Sequence, residues 1–279
     1  MVGSALSEAK AFYKRTRPRF RGYQFHIMAS EQMAETTKPY VRVATLDDLD
    51  EFVQVANRAF LHDPAFNYSA NLQKLIDPKV DADESRRRGD LHLFLAKSCF
   101  LAGGRVTVVV DPESNGRIAA GALWMPPRKR LAIWQLYLLF KAGFGRVLQH
   151  WKLTGFLRMI IEYHDGAEKK MKRCFQEKGV KEPPEDAWYV QQIFTDPDYQ
   201  GRGLMSTLMR EAFANAPEAT FCLEASTAKS RDQYAHLGFE NPIPIPMGVG
   251  KCNTSGLRAT GKDATGVEIY AMGRWPSKQ

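Results

Sequence analysis

A glycine-rich turn between a strand-like and a helix-like segment contains the residues best suited to bind an anion. Residues 188–194 are aromatic and β-branched, as strands prefer, and residues 204–213 have helical character. Gly201 and Gly203 lie between the two segments. Because glycine has no side chain, a phosphate can approach the backbone N–H groups at a helix N-terminus. The helix dipole also favours an anion there. The turn therefore predicts a phosphate-binding site.

Two common nucleotide motifs do not fit this turn. The dinucleotide fingerprint needs three spaced glycines early in a βαβ unit and an acid on the next strand. The mononucleotide P-loop needs a Gly-Lys-Ser/Thr ending, whereas Gly203 is followed by Leu204 and Met205. The alternative reading of the glycines is a loop that merely needs positive φ angles.

The segment Gln200-Gly201-Arg202-Gly203-Leu204-Met205 resembles the Gln/Arg-x-x-Gly-x-Gly/Ala motif of the GCN5-related N-acetyltransferase (GNAT) superfamily. Residues 229–239 are similar to the family's Tyr-x-x-Leu-Gly-Phe segment, and residues 40–48 to its opening strand and first helix. The segments Gln-Gly-Arg-Gly-Leu and Leu-Glu-Ala-Ser most resemble those of the branch that contains puromycin acetyltransferase and its fungal relatives. The close resemblance covers roughly residues 40–60 and 187–240.

The resemblance and the order of elements imply an α/β fold with a mixed, mostly antiparallel sheet and helices on both faces. We expect a single N-acetyltransferase domain over residues 40–279, with a helical insert at about residues 128–181. Residues 1–39 form a basic leader that we expect to be flexible.

The resemblance also implies that acetyl-CoA is the co-substrate and that no metal is needed. The pyrophosphate would bind at the turn, and backbone donors would hold the thioester carbonyl where the central strand splays from its neighbour. The implied cofactor-binding residues are Ile193, Phe194, Thr195, Gln200, Gly201, Arg202, Gly203, Leu204, Met205 and Ser206. Met205 replaces a small residue of the motif, so an inactive CoA-binding member is an alternative.

Tyr234 stands where the family has its general acid, three residues before Leu237. A phenol with an ordinary pKa of about 10 is suited to protonate a leaving thiolate. The alternative is that the Tyr234 ring only packs beside Phe239. The general base is left open, with Glu224 as the first candidate. Weaker candidates are His62, Asp63 and residues 162–165.

The net charge of +8 is concentrated in two segments outside the expected catalytic core. Residues 1–39 carry seven Lys/Arg against three acids, and residues 128–181 carry thirteen against four. No recognition motif accompanies this charge, so no specific nucleic-acid partner is expected. The four cysteines lack paired spacing, which favours a cytoplasmic protein with reduced thiols. A mitochondrial location is the alternative if the leader is a transit peptide.

Periodicity and turn residues predict the remaining elements. The predicted segments are helices at residues 47–60 and 86–101, a hairpin of strands at 105–110 and 118–125, helices throughout 129–178 with joints at Gly143, Gly145, Gly155 and Gly166, and strands at 242–249 and 267–272. We expect the polar loop 250–266 to be mobile. The apolar run at 131–140 is shorter than the about 20 residues that span a bilayer. It predicts a buried helix, with a helix lying on a membrane surface as the alternative.

These features favour an acetyl-CoA-dependent N-acetyltransferase that acts on a small-molecule amine, such as a xenobiotic, an antibiotic or a secondary metabolite. A protein or peptide N-acetyltransferase is the first alternative. The second is a non-catalytic protein that binds CoA or associates with nucleic acid through its basic segments.

Overall fold

A computed structural model describes residues 38–129, 135–158 and 165–276. These residues form seven strands and eight α-helices. The strands are β1 (Tyr40–Val43), β2 (Arg105–Asp111), β3 (Arg117–Met125), β4 (Trp188–Thr195), β5 (Phe221–Ala225), β6 (Glu240–Met247) and β7 (Val267–Arg274). The helices are α1 (Leu49–Ala59), α2 (Pro64–Ser69), α3 (Ala82–Leu101), α4 (Leu136–Ala142), α5 (Phe144–Leu157), α6 (Asp165–Glu177), α7 (Leu204–Asn215) and α8 (Ala228–Ala235).

The seven strands form one sheet in the order β1-β2-β3-β4-β5-β7-β6. Neighbouring strands pair antiparallel, except for β4 and β5, which run parallel. The predicted fold class, a mixed and mostly antiparallel sheet, is therefore confirmed. The one parallel pair joins the two halves of the sheet at its centre.

Helices cover both faces of this sheet, as predicted. Helices α7 and α8 pack on one face, in a core that includes Leu208, Phe221 and Tyr234. Helices α1 and α3 pack on the opposite face of β2, β3 and β4, and α6 covers β6 and β7 on that same side. Helices α4 and α5 pack on α3 from outside, so the inserted residues add a further layer there.

Local capping residues fix where α1 and α2 begin. Thr45 and Asp48 form a capping box at a single turn of 3₁₀ helix that leads into α1. Pro64, which follows α1, is the first residue of α2. Proline suits that position because the first helical N–H needs no partner within the helix. The Asp63 carboxylate caps α2.

The helical joints of the insert differ from the prediction. Gly143, with a φ angle of 103°, separates α4 from α5 as predicted. Gly145 and Gly155 instead lie inside α5, and Gly166 lies inside α6. Close packing explains Gly155, because a Cβ atom there would lie 2.9 Å from the carbonyl oxygen of Ser69. The leader up to residue 37 and residues 130–134 lie outside the described part of the chain.

The loop from Gly250 to Gly266 is held by hydrogen bonds, contrary to the expectation that it is mobile. The Asn67 side chain of α2 donates to the Ser255 carbonyl at 2.9 Å, and the Arg258 N–H donates to the Leu72 carbonyl at 2.8 Å. These bonds join segments nearly 190 residues apart. Backbone groups of the loop therefore bind α2 and the residues that follow it.

None of the helices within the described ranges is long and apolar enough to cross a membrane. The four cysteines all lie within the described ranges, are buried and form no disulfide there. Helix α3 begins at Ala82, four residues before the predicted start, and the described strands end within two residues of the predicted positions.

Candidate active site

A wedge opens in the sheet where β4 separates from β5. The two strands pair only at Trp188 with Phe221 and at Tyr189 with Cys222. Beyond these residues, β4 continues to Thr195 and β5 to Ala225, with no pairing between them in the described structure. The β4 backbone groups that point toward β5 are therefore available to a ligand in the wedge.

A β-bulge bends β4 at the start of this wedge. The register between β3 and β4 shifts between Leu123, which pairs with Gln192, and Trp124, which pairs with Val190. Gln191 is thus the extra residue on β4. Because a bulge bends and twists its strand, it turns β4 away from β5. The predicted splay is present, and it begins before the expected residues Ile193, Phe194 and Thr195.

The glycine turn leaves the N-terminus of α7 open. Gly201 and Gly203 have φ angles of 79° and 73°, and a Cβ atom added at either would meet nothing within 4 Å. Gly203 is the N-cap residue of α7, and no side chain caps this helix within the described ranges. The first N–H groups of α7, from Leu204 to Ser206, are therefore available to an anion.

Met205 packs away from this opening. Its side chain lies partly buried against the core cluster beneath α7 and α8. The long side chain that departs from the family motif therefore contributes to the core, and its backbone N–H remains in the first turn of α7. The structure thus gives a physical reason for tolerating methionine at this position.

We expect Met205→Ala to lower stability without changing CoA affinity. The truncation removes packing from a partly buried side chain, which corresponds to roughly 1–2 kcal/mol, less than for a fully buried methionine. Thermal denaturation and titration calorimetry with CoA measure the two effects separately. Clearly tighter CoA binding by the variant would show that the methionine side chain obstructs the site.

Arg202 is held at the mouth of the turn by an aromatic ring. Its guanidinium lies 4.7 Å from the centre of the Tyr199 ring, and its side chain is exposed. The Tyr199 hydroxyl donates to the Asp111 carboxylate at 2.9 Å. Arg202 thus presents a positive charge beside the open amides, while Gln200 is exposed next to it.

The buried carboxylate of Asp196 stabilises the segment that leads into the glycine turn. Asp196 is fully buried, contacts the guanidinium groups of Arg58 and Arg117, and accepts a hydrogen bond from the Asp198 N–H at 3.1 Å. The two arginines come from α1 and β3, and their spacing in the sequence gives no signal of this contact. Asp196, Pro197 and Asp198 are residue types that favour a turn, which is a local signal for the end of β4.

Tyr234 lies buried on α8, beside the opening of the wedge. Its ring packs against Phe239 with 5.7 Å between ring centres, so the packing alternative describes part of its role. Burial raises the pKa of the Tyr234 hydroxyl above its ordinary value, and the charge of Asp63 raises it further. The phenol therefore stays protonated at neutral pH and can donate a proton.

Glu224 points to the other face of the sheet. Its neighbours Leu223 and Ala225 pack under α7 and α8, so alternation along β5 directs Glu224 toward the side of α1 and α3. There its carboxylate accepts a hydrogen bond from the Tyr189 hydroxyl at 2.5 Å. The two predicted catalytic residues, Tyr234 and Glu224, thus lie on opposite faces of the sheet.

The weaker base candidates have different positions. Asp63 lies at the end of β5, where the Ser226 hydroxyl donates to its carboxylate. His62 is exposed on the surface. Residues 162–164 and the side chain of Asp165 lie outside the described part of the chain. The described residues contain no group of three His, Cys, Asp or Glu side chains that could hold a metal ion.

Helix α4 of the insert lies on the outer side of α3. The Tyr137 side chain on α4 is 74% exposed, so Tyr137 is not a core residue. Trp134 lies outside the described residues.

Comparisons with known proteins agree with this geometry. Residues 143–241, about a third of the chain, match the family model described as Acetyltransferase (GNAT) domain. The match includes the wedge strands, the glycine turn and Tyr234. The particular puromycin-type branch stays a prediction.

Solved structures similar to this chain include the following three. One, from Corynebacterium glutamicum, is described as histone acetyltransferase HPA2 and related acetyltransferase; it is 24% identical, with 86% of this chain and 98% of that chain covered and a TM-score of 0.52. A mosquito arylalkylamine N-acetyltransferase like 5b is 14% identical, with coverage of 85% and 100% and a TM-score of 0.46. The Drosophila melanogaster polyamine N-acetyltransferase is 12% identical, with coverage of 85% and 100% and a TM-score of 0.45. The first similarity shows that the fold is of the GNAT type.

Proposed function

We propose that this protein transfers the acetyl group of acetyl-CoA to the amine of a small molecule, by direct attack in a ternary complex. The observation that carries the proposal is the wedge between β4 and β5, which opens beside the uncapped N-terminus of α7. One ligand with a pyrophosphate and a long, narrow acyl-bearing arm would use both features. The family match over residues 143–241 supports the same assignment.

Residues of the turn would bind the pyrophosphate of acetyl-CoA. The open N–H groups at the start of α7 supply donors, and Arg202 adds a positive charge beside them. Unpaired backbone groups of β4, near Ile193, would hold the thioester carbonyl. The same donors would stabilise the oxyanion that forms when the amine attacks.

The departing thiolate needs a proton, and in this proposal Tyr234 supplies it. Its raised pKa keeps the phenol protonated at neutral pH. Cys222 is fully buried in mid-strand, and burial of this kind disfavours a reactive thiolate. These facts support direct transfer from acetyl-CoA to the amine, without a covalent acyl-enzyme.

The acidic groups across the wedge from the proposed cofactor site support a small amine as the acceptor. Glu224 lies on the face of α1 and α3, opposite the helices that would hold the cofactor, and Asp63 contacts Ser226 just after β5. Their carboxylates would attract an ammonium group and orient its nitrogen toward the thioester.

The test is a thiol-release assay with acetyl-CoA across an amine library, with products weighed by mass spectrometry. We expect free CoA to appear together with a product that is one acetyl group heavier. The library should include basic peptides, because transfer to peptides alone would replace the small-molecule assignment. Salt-sensitive nucleic-acid binding, without CoA release over the whole library, would overturn the enzymatic proposal.

A further inference from the structure

Asp63 has one carboxylate oxygen occupied by the helix that it caps. Its Oδ1 atom accepts from the Ala65 N–H at 2.9 Å and from the Phe66 N–H at 3.1 Å. Both backbone N–H groups donate to the same oxygen, so the capping hydrogen bonds do not use Oδ2. Asp63 is half-buried as a residue, and burial of its carboxyl group raises the pKa of that group.

Asp63 also faces elements on both sides of the wedge. The Ser226 hydroxyl, just after β5, donates to its carboxylate. Its charge also acts on the Tyr234 hydroxyl of α8 and raises the pKa of that phenol. The carboxylate thus contacts the residue that follows β5 and lies within electrostatic range of the proposed proton donor.

A buried arginine fixes the backbone that carries Asp63. Arg88 of α3 donates through Nη1 to the carbonyl oxygens of Phe60 and Leu61, at 2.8 and 2.7 Å, and through Nη2 to the Asn67 side chain at 2.8 Å. These three contacts lie on both sides of Asp63 in the chain. Its positive charge also opposes the effect of burial, which raises the pKa of Asp63.

His92, a titratable group close to Arg88, is unsuited to be the base. His92 of α3 is completely buried, and burial lowers its pKa to about 3. The imidazole is therefore neutral throughout the working range of an enzyme and binds a proton too weakly to take one from an amine. The groups that act on Asp63 or respond to its charge are Arg88 from α3, Ser226 just after β5 and Tyr234 from α8.

We infer that Asp63 is the general base that accepts the proton of the attacking amine, and that Arg88 is a positioning residue that holds Asp63 in place. The inference rests on the proposed acetyl transfer. As the new N–C bond forms and the C–S bond breaks, the amine proton passes to the Asp63 carboxylate, and the Tyr234 proton passes to the thiolate sulfur. Asp63 then loses its proton to solvent, and Tyr234 regains one from solvent.

The first test compares Asp63→Asn with Glu224→Gln and with Asp48→Asn as a control. Asparagine caps helices about as well as aspartate, so α2 should keep its cap. We expect Asp63→Asn to lower kcat/KM for the amine by roughly 10²-fold, with unchanged CoA affinity. The Asp48→Asn control removes a carboxylate at another helix start and should stay near wild type, whereas Glu224→Gln should raise the KM for the amine and leave kcat nearly unchanged.

The pattern of activities separates the possible failures. A wild-type protein without acetyl transfer would end both the proposed function and this inference. An active wild type with a near-normal Asp63→Asn variant would overturn the inference alone. If Glu224→Gln were then the inactive variant, Glu224 would be the base.

The pH profile tests the role of Arg88. Arg88→Met removes the positive charge, so the acidic limb of the kcat/KM profile should move to higher pH as the pKa of Asp63 rises. Arg88→Lys keeps the charge and should return the limb toward the wild-type position. An unmoved limb in a folded Arg88→Met variant would contradict the positioning role, and the lysine variant provides the test if the methionine variant does not fold.

Stability gives a further check that does not depend on activity. Because the pKa of Asp63 is raised in the folded protein, its bound proton stabilises the fold below the unfolded pKa of about 4, and this contribution is lost as pH rises through the folded pKa. The Asp63→Asn variant has no carboxyl group to ionise at this position, so it does not lose this stability as pH rises. We therefore expect the Tm of the variant at pH 7 to equal or exceed that of wild type, and the difference to shrink at acidic pH. A variant Tm below that of wild type at pH 7 would contradict the claim that the ionised Asp63 carboxylate destabilises the fold.

Discussion

Replacing Tyr234 with phenylalanine is expected to lower kcat by roughly 10²-fold or more, the usual contribution of general acid catalysis. The variant keeps the ring, which packs against Phe239, and loses only the hydroxyl. CoA affinity and folding should therefore survive. The measurement is kcat under conditions in which chemistry, and not product release, is shown to limit turnover.

Tyr270→Phe is the matched control. Tyr270 is also a buried tyrosine of the core beneath α7 and α8, but its hydroxyl donates to Glu268 on its own strand. This variant should retain nearly full activity. If Tyr234→Phe were equally active, Tyr234 would be a packing residue, and water would be left as the acid for the thiolate.

Replacing Gly203 with valine is expected to weaken CoA binding by about tenfold or more, which corresponds to about 1.4 kcal/mol. Gly203 has a positive φ angle that a β-branched residue strongly disfavours. A side chain there would also stand in the open space before the first N–H groups of α7, where the pyrophosphate is proposed to bind. Titration calorimetry with CoA measures the loss.

Gly103→Val controls for backbone strain alone. Gly103 has the same φ angle of 73°, and a Cβ atom added there also meets nothing within 4 Å. It follows α3, away from the glycine turn. Both variants should lose similar stability, but only Gly203→Val should lose CoA affinity. Equal affinity in the two variants would remove the turn from the cofactor site.

Local patterns in the sequence were enough to predict the fold and the glycine turn. Strand alternation, capping at Thr45 and the glycines at the start of α7 each depend on residues close together in the chain. The order of these elements then matched a known type of sheet. The predicted splay of β4 followed from that resemblance, and the structure shows it as the short pairing between β4 and β5.

Contacts between distant segments could not be predicted in the same way. Asp63 reads locally as a turn residue before a proline, and only folding brings it beside Ser226 and Tyr234. The contact between Asn67 and Ser255 similarly converts an apparently free loop into a packed one. Single-sequence patterns carry no signal for such pairs, because their spacing along the chain has no periodic relation to their distance in space.

The most direct test of the account is an NMR titration of backbone amides with CoA and, separately, with pantetheine, which lacks the pyrophosphate. We expect CoA to produce its largest shifts at the N–H groups of residues 201–206, and pantetheine to leave these signals nearly unchanged while it perturbs residues 190–195 of β4. CoA shifts confined to another surface, such as the open hollow of about 590 Å³ lined by residues between Asn253 and Thr265, would contradict the account.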